Sequence, residues 1–593
     1  MGAIFGFVGK GTQDDAMAMS DAMSHRGRYA HVWSPDEGVY LGERNHWSAE
    51  RADDMPTVAD LQLDLDWRKF PETAYAKAAV RSATARQHLN ARLRAAPESA
   101  PTALFGQFSY AFWDSRTRTL FIACDRMCSR HVYYIELATR FAFATEYKAL
   151  LALADCPAAP HPKAIQYYLA SRRSLLDETC LANVMPINRG RMLTLKDGHV
   201  RVTRYWQPTQ LSQVRTAAGH AEALRGQLLE TVARQIKPYR RIGVTLSGGL
   251  DSPGLLGLVR KVSPDTEIAT YTIGYGDGDP EIEGARIAAS YFATEHHELN
   301  FDIESIPRML PQLAWITEEN VGREEALLQF KIERSMAAKE QVIVAGHGAD
   351  VVFGGMPRHR LIRLGELVPF GMKPATEIYY QAFTGEPPAS VRGKLASFLI
   401  FRGSAMPPPR VIGGTGPTTV PDPVSLETFI CQTIVDRDET NYHRPVQDLG
   451  RLEQLSPFLA DDVIACGLSI PGRFKVDLRR QKIVLRDALA PLLPASILHR
   501  RKAIQRLKHD IRLSDILDGL ADELLAPAVV QERRLIKLDY VDRIRRRRGA
   551  KAYGTDILYR LWTLIIFELW CRHFLDNRGR PWGFSVMDLT NLG

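Results

Sequence analysis

Ile242-Gly243-Val244-Thr245-Leu246-Ser247-Gly248-Gly249-Leu250-Asp251-Ser252-Pro253 is the most informative run in this chain. An apolar, β-prone segment enters two glycines, and a helical apolar pattern follows through Leu255-Leu256. The order is strand, tight turn, helix N-terminus. Backbone N–H groups in such a turn, with a helix dipole behind them, form a pocket for phosphate or pyrophosphate. Gly248 and Gly249 have no Cβ and let an anion approach closely. Ser252 is placed to cap the helix, and Pro253 suits its first position. No Gly-Lys-Ser/Thr follows, which excludes a kinase-like P-loop.

The pattern differs on the two sides of this run. Before about residue 206 it reads as short strands with turns: Ala3–Val8, Gly38–Leu41, Phe108–Trp113, Thr119–Cys124 and Phe141–Ala144. Amphipathic helices fall at Asp14–Met23 and Thr73–Ala95, so this half is α+β with antiparallel sheets. From Gly219 helices alternate with strands at Val244–Leu246, Ile268–Ile273 and Val342–Ala345, the pattern of a parallel α/β sheet. Beyond Pro357 the chain reads as mainly helical to Leu569, with a Pro/Gly/Thr-rich loop or linker at Met406–Pro423. Two domains are expected, 1–206 and 217–593.

With 593 residues, 45% apolar and 24% charged, the composition is that of a soluble globular protein. Leu561–Trp570 is too short to span a bilayer and is broken by Glu568. No basic-then-apolar signal pattern stands at the N-terminus, and Gly6 breaks a myristoylation motif, so a cytoplasmic location is expected. Seven cysteines in this length make no disulfide framework. Cys124 and Cys128 lack the partners of a zinc site and read as core or turn residues. The net charge of +8 owes much to Arg543-Ile544-Arg545-Arg546-Arg547-Arg548, a solvated helix face or a guide for an acidic peptide or RNA.

The string Ser247–Ser252 resembles the pyrophosphate loop of enzymes that cut ATP between its α and β phosphates. Further strings extend the resemblance to the asparagine-synthetase-like superfamily along nearly the whole chain. Ile4-Phe5-Gly6, His25-Arg26-Gly27, Ala123-Cys124-Asp125-Arg126 and Phe143–Leu150 resemble its glutaminase domain. Thr272-Ile273-Gly274, Thr294-Glu295-His296-His297, Gly346-His347-Gly348-Ala349-Asp350, Phe353-Gly354-Gly355, Pro457-Phe458-Leu459, Lys482–Arg486 and Leu569-Trp570 resemble its synthetase domain. The resemblance implies an Ntn-like antiparallel sandwich followed by an adenine-nucleotide-α-hydrolase-like α/β domain with a helical C-terminal part. It implies ATP and Mg²⁺, with Asp251 and Asp350 as metal-binding acids. Leu246, Ile273 and Gly346 match positions that hold adenosine, and Ser247, Gly248, Gly249, Leu250, Ser252 and Gly348 complete the nucleotide-binding loops. Lys482 matches a lysine that stabilises the pentavalent phosphate and later the acyl oxyanion.

The departures are as informative. A working glutaminase of this family has Cys directly after the initiator Met. Here that residue is Gly2, which carries no nucleophile. His347 stands where the family usually has Glu, as a base for an incoming ammonium or as a structural substitute. Val351 replaces another Glu. Trp315-Ile316-Thr317-Glu318-Glu319-Asn320 matches the family's Trp-x-x-Asp-Glu-Pro with changes at Glu318 and Asn320, which argues against an aspartate-specific acceptor pocket.

Family members without the N-terminal Cys join an amine and a carboxylate of one molecule, as β-lactam synthetases and lasso peptide cyclases do. Holding both groups in one substrate removes much of the entropic cost of the reaction. The expected function is an ATP-dependent macrolactam synthetase. It adenylates an Asp or Glu side chain of a precursor peptide, which the peptide's N-terminal amine then attacks. A leader peptidase is an expected partner. A small-molecule amide synthetase, an ammonia-dependent asparagine synthetase and a tRNA-binding protein are the alternatives, and the glutaminase-like half argues against the last.

Overall fold

In a computed structural model, residues 2–46, 55–75, 77–172, 177–210, 215–318, 324–368, 370–375, 377–378, 425–434, 452–500, 507, 509–548 and 552–590 are described. The run Met406–Pro423, expected as a loop, lies outside them.

Among the described residues, eleven strands form the first half: β1 (Gly2–Gly9), β2 (Tyr29–Asp36), β3 (Val39–Asn45), β4 (Thr57–Leu63), β5 (Gly106–Asp114), β6 (Thr119–Cys124), β7 (Tyr133–Glu136), β8 (Arg140–Ala144), β9 (Met185–Pro186), β10 (Arg191–Lys196) and β11 (His199–Arg204). They make two antiparallel sheets, ordered β2-β3-β1-β8-β7-β9 and β11-β10-β6-β5-β4. Strand alternation explains the layering. Ile4, Leu41 and Phe143 of one sheet meet Val58, Ala111 and Ile122 of the other in a shared core. The opposite residues, Phe5 and Phe7, turn outward onto Met19 of the helix Gln13–Ala22. Tyr110 and Phe112 turn likewise onto Leu89 and Leu93 of the helix Ala78–Ala95. The expected antiparallel sandwich is therefore observed, with helices on both outer faces.

The second half carries β12 (Arg241–Thr245), β13 (Glu267–Gly274), β14 (Glu295–Asn300), β15 (Val342–Val344) and β16 (Glu453–Leu455). All pair parallel, in the order β14-β13-β12-β15-β16. The chain moves from β12 to one side and then returns to its other side at β15. This places a topological switch point between β12 and β15, where open parallel sheets bind ligands at their carboxyl edge. The edge strand β16 is an addition to the mainly helical expectation beyond Pro357; three residues are too few to show a periodicity.

The apolar run Leu561–Trp570 lies in the helix Thr555–Trp570, with Leu561, Trp562 and Ile565 buried in the core. Glu568, which breaks the run, is paired with Arg533 at 2.9 Å and Arg572 at 3.1 Å. Among the described residues no helix is long and apolar enough to cross a membrane. All seven cysteines are free, and Cys124 and Cys128 are buried at a strand end and in the following turn.

Candidate active site

The glycine turn emerges from the carboxyl end of β12, and the helix Asp251–Val262 begins at its acid. Ser252 does not cap this helix. Its Oγ instead accepts from Ser247 N–H at 2.9 Å and lies 3.1 Å from Ser247 Oγ, closing the turn on itself. Ser247 Oγ accepts in turn from Gly249 N–H at 3.3 Å. Gly248 N–H donates to Glu281 Oε2 at 2.8 Å. Three N–H groups of the expected anion pocket are thus engaged within the protein, and the first turn of the helix carries the remaining anion-facing backbone. Pro253 is the third residue of the helix rather than the first, within the turn whose N–H groups lack intrahelical acceptors, so its missing donor is tolerated there.

Three distant residues meet at this turn. Lys482 Nζ lies 2.7 and 2.5 Å from the two carboxylate oxygens of Asp251 and 2.6 Å from Asp350 Oδ1. Lys482 is 4% exposed, so these contacts form away from bulk water. Burial works to lower its pKa, but the charges of Asp251 and Asp350 outweigh it and raise the lysine above its ordinary value. A hairpin aims the lysine: Val476 pairs with Gln481, and Asp477 N–H donates to Arg480 O at 3.0 Å. Lys482 itself has φ +55°, an unusual conformation for a lysine, at the start of the helix Ile483–Leu489. Arg486, one turn on, donates to the Leu498 carbonyl.

Asp350 stands in the short helix Ala349–Val352, directly after the turn that follows β15. Gly348 there has φ +91°, and a Cβ on it would lie 2.3 Å from Leu459 Cδ2. The strings around Gly348 and Leu459 are therefore one packed unit. A Cβ on Gly355 would lie 1.9 Å from Asp350 Oδ1 and 2.2 Å from Lys482 Cε, so only glycine leaves room for the pair. Gly346 packs against Asp251 less tightly, with a notional Cβ 3.2 Å from Asp251 Cβ.

Leu246 and Ile273, 3% and 1% exposed, sit at the carboxyl ends of β12 and β13. The Leu246 N–H donates to Tyr271 O at 2.8 Å, and its carbonyl accepts from Thr272 Oγ1 at 2.7 Å. Its side chain is what remains for apolar contact. His347 lies in the same loop as Gly346, but its imidazole does not have the near-neutral pKa expected of it. Desolvation pushes it down to about 4, so it is neutral at physiological pH and a weak proton acceptor.

Among the described residues no cluster of three or more His, Cys, Asp or Glu could hold a metal. The pair Asp251 and Asp350 nevertheless fits Mg²⁺. Both aim hard carboxylate oxygens at one point, and Mg²⁺ commonly takes one or two carboxylates with phosphates and water.

Other sequence strings prove to be an interdomain seam. Glu318 does not enter the acid–lysine site. Its carboxylate accepts from the N–H groups of Tyr147 and Lys148, each at 3.1 Å. Lys148 Nζ lies 2.8 Å from Glu146 and 3.4 Å from Glu318, and 4.2 Å from the centre of the Trp315 ring. Trp570 Nε1 donates to Tyr147 Oη at 2.7 Å. The change at Glu318 thus reports on domain docking rather than on an acceptor pocket; Glu319 and Asn320 lie outside the described residues. Glu281 was not found from the sequence. Its only local signal is a helix start, Asp279-Pro280-Glu281, after a strand.

The arginine run is largely answered by acids. Arg543 pairs with Asp539 at 3.4 Å, Arg545 with Asp522 at 2.5 Å and Arg546 with Asp542 at 3.9 Å, and Arg548 pairs with Asp515 and Asp518.

A glycine turn and paired acids at the carboxyl edge of a parallel sheet make a nucleotide-activating architecture. Comparison with known proteins gives it a family. The asparagine synthase model matches residues 223–404 and 450–572, just over half of the chain, and a glutamine amidotransferase domain model matches 77–206. A Mycobacterium tuberculosis protein, provisionally named a glutamine-hydrolysing asparagine synthetase, is 26% identical over 522 residues, covering 81% of this chain and 78% of that one. The glutamine-hydrolysing asparagine synthetase 1 of Bacillus subtilis is 22% identical, covering 82% of this chain and 80% of that one. The amidase chry2 of Gibberella zeae is 24% identical over 291 residues, 44% of this chain and 42% of that one. The chain belongs to the asparagine synthase family, ATP-dependent carbon–nitrogen ligases that form AMP and pyrophosphate.

Proposed function

We propose that this protein is an ATP-dependent amide synthetase that closes a macrolactam, drawing its amine from the substrate rather than from glutamine. The observation that carries the reading is the packing at Gly2. A Cβ there would lie 1.9 Å from the Arg44 carbonyl oxygen, so the strand has no room for the nucleophilic side chain that glutamine hydrolysis needs. Arg26 Nε donates to the Gly2 carbonyl at 3.1 Å and closes the position further.

In this reading a carboxylate of a precursor peptide attacks the α-phosphate of ATP, and Lys482 stabilises the charge that develops there. Asp251 and Asp350 would hold Mg²⁺, which when bound offsets charge on the departing pyrophosphate. Lys482, released from the two acids, then faces the acyl oxygen while the peptide's own N-terminal amine displaces AMP. Leu246 and Ile273 supply apolar contact for the adenosine. A leader peptidase that frees the N-terminal amine is the matching partner. Purified protein with a candidate core peptide, ATP and Mg²⁺ gives AMP, pyrophosphate and a product lighter by one water. Release of ADP instead refutes the chemistry.

The names of the relatives favour a second reading, an asparagine synthetase, and the packing at Gly2 turns that reading toward free ammonia in place of glutamine. It is distinguished by AMP formation from aspartate and ammonium in the absence of any peptide. The ion pairing of the arginine run withdraws support from a nucleic-acid partner.

A further inference from the structure

One N–H of the glycine turn is held by an acid of the protein itself. Glu281, 6% exposed, accepts from Gly248 N–H in the first turn of the helix Pro280–Tyr291. Asp279 fixes the start of that helix: its Oδ1 accepts from Glu281 N–H at 2.9 Å and its Oδ2 from Tyr275 N–H at 3.0 Å. Helix and turn are in close contact, since a Cβ on Gly284 would lie 2.4 Å from Gly248 Cα. Arg500 closes the same corner, donating to Pro280 O at 2.5 Å. None of these packing contacts requires a charge at position 281. A buried carboxylate costs desolvation, and here it sits on a backbone donor of the kind that binds phosphate.

We propose that Glu281 is an internal stand-in for pyrophosphate. It holds the turn in its anion-binding shape, yields Gly248 N–H when the polyphosphate enters, and reclaims it as pyrophosphate leaves. The inference rests on the ATP-activating reading of the site. Two anions repel strongly at the short distances that sharing one donor would impose, so the carboxylate weakens pyrophosphate binding and speeds its departure. Glu281 acts through the loop and is a positioning residue.

The test is calorimetric titration of the full-length protein with inorganic pyrophosphate and Mg²⁺, alongside steady-state ATP turnover. Glu281→Gln keeps the shape and removes the charge. It is expected to bind pyrophosphate at least tenfold more tightly, with a lower KM for ATP and a lower kcat as release slows. A purely structural role predicts the opposite sign, weaker binding. Should Glu281→Gln fail to fold, Glu281→Ser removes the same charge with a smaller side chain and carries the same expectation. Equal or weaker pyrophosphate binding in a folded variant overturns the stand-in alone. A wild-type protein that binds no pyrophosphate overturns both the stand-in and the activation reading.

Discussion

The two halves of this chain each contain a site organised around a glycine that admits no side chain, with opposite outcomes. At Gly2 the obstructing atom is a backbone carbonyl, that of Arg44. At Gly355 the obstructing atoms are the Asp350 carboxylate and the Lys482 side chain. In the first case the space a nucleophile would need is taken by the sheet itself. In the second the missing Cβ is what lets an acid and a lysine meet. The surrounding charges differ in the same sense. Near Gly2 they are buried and spent on one another: Arg26 on Glu146 at 3.4 Å and Arg130 on Asp60 at 3.1 Å. Near Gly355 one lysine is shared by two acids, an arrangement that substrate phosphates and a metal can exchange into. In the proposed function the first constellation is scaffold and the second serves the chemistry.

The contrast is broken most severely at the second site. Asp251→Asn removes one of the two acids and leaves Lys482 with a single full charge partner. AMP formation is expected to fall by about 10³-fold, the scale of losing a preorganised electrostatic partner. The measurement is AMP release by chromatography. Retention of a tenth or more of the activity rules out Asp251 as the metal acid.

In the scaffold half the expected loss is of stability. Lys148 is fully buried between Glu146 and Glu318. Lys148→Met leaves both acids without it and is expected to cost about 3–5 kcal/mol, the range for breaking a buried pair. A lower denaturant midpoint of unfolding reports it. A midpoint unchanged from wild type shows that the seam does not depend on this charge.

A smaller, pH-dependent effect belongs to the facing surfaces of the two halves. Burial pushes Asp461 up to about 7, although Arg126 at 3.0 Å opposes the shift. The folded protein therefore keeps a proton on Asp461 where the unfolded chain has lost it. Stability falls as pH rises from the ordinary carboxylate range to about 7, and this contribution is constant above that. At about 1.4 kcal/mol per unit, the slope amounts to about 4 kcal/mol at most. Asp461→Asn is expected to lose less stability than wild type between pH 4.5 and pH 7.5. Thermal midpoints at the two pH values decide it, and equal losses count against the assignment.

Legibility in the sequence follows the same division. Strands such as Thr119–Cys124 coincide with observed elements, because a short, nearly continuous apolar run is what a strand buried on both faces requires. The edge strand Glu453–Leu455 was invisible at three residues. In the acid–lysine site, the resemblance to the synthetase domain brings Asp251, Asp350 and Lys482 onto one list, but does not show the lysine lodged between the acids. Ser252 looked like a cap because capping is the usual use of a hydroxyl before a helix. Its bond to Ser247 depends on how tightly the turn closes. Glu318 looked like part of a substrate pocket because its string adjoins such residues in the family. Its partners, Tyr147 and Lys148, are 171 and 170 positions away, a separation at which no local pattern carries information.

The smallest expected effect is the sharpest test of the comparison. If the first site were dead only for lack of a thiol, Gly2→Cys would restore glutamine hydrolysis. The packing predicts otherwise. A side chain there meets a backbone carbonyl, which cannot rotate aside as the end of a side chain can. Arg26 is meanwhile committed to the Gly2 carbonyl and to Glu146. Gly2→Cys is expected to yield no glutamate from glutamine above background, and to leave AMP formation within about twofold of wild type, because distant sites with no shared partners act independently. Glutamate release that is abolished by thiol alkylation would show that the strand can part to admit a nucleophile, and that the two halves differ by one side chain rather than by architecture.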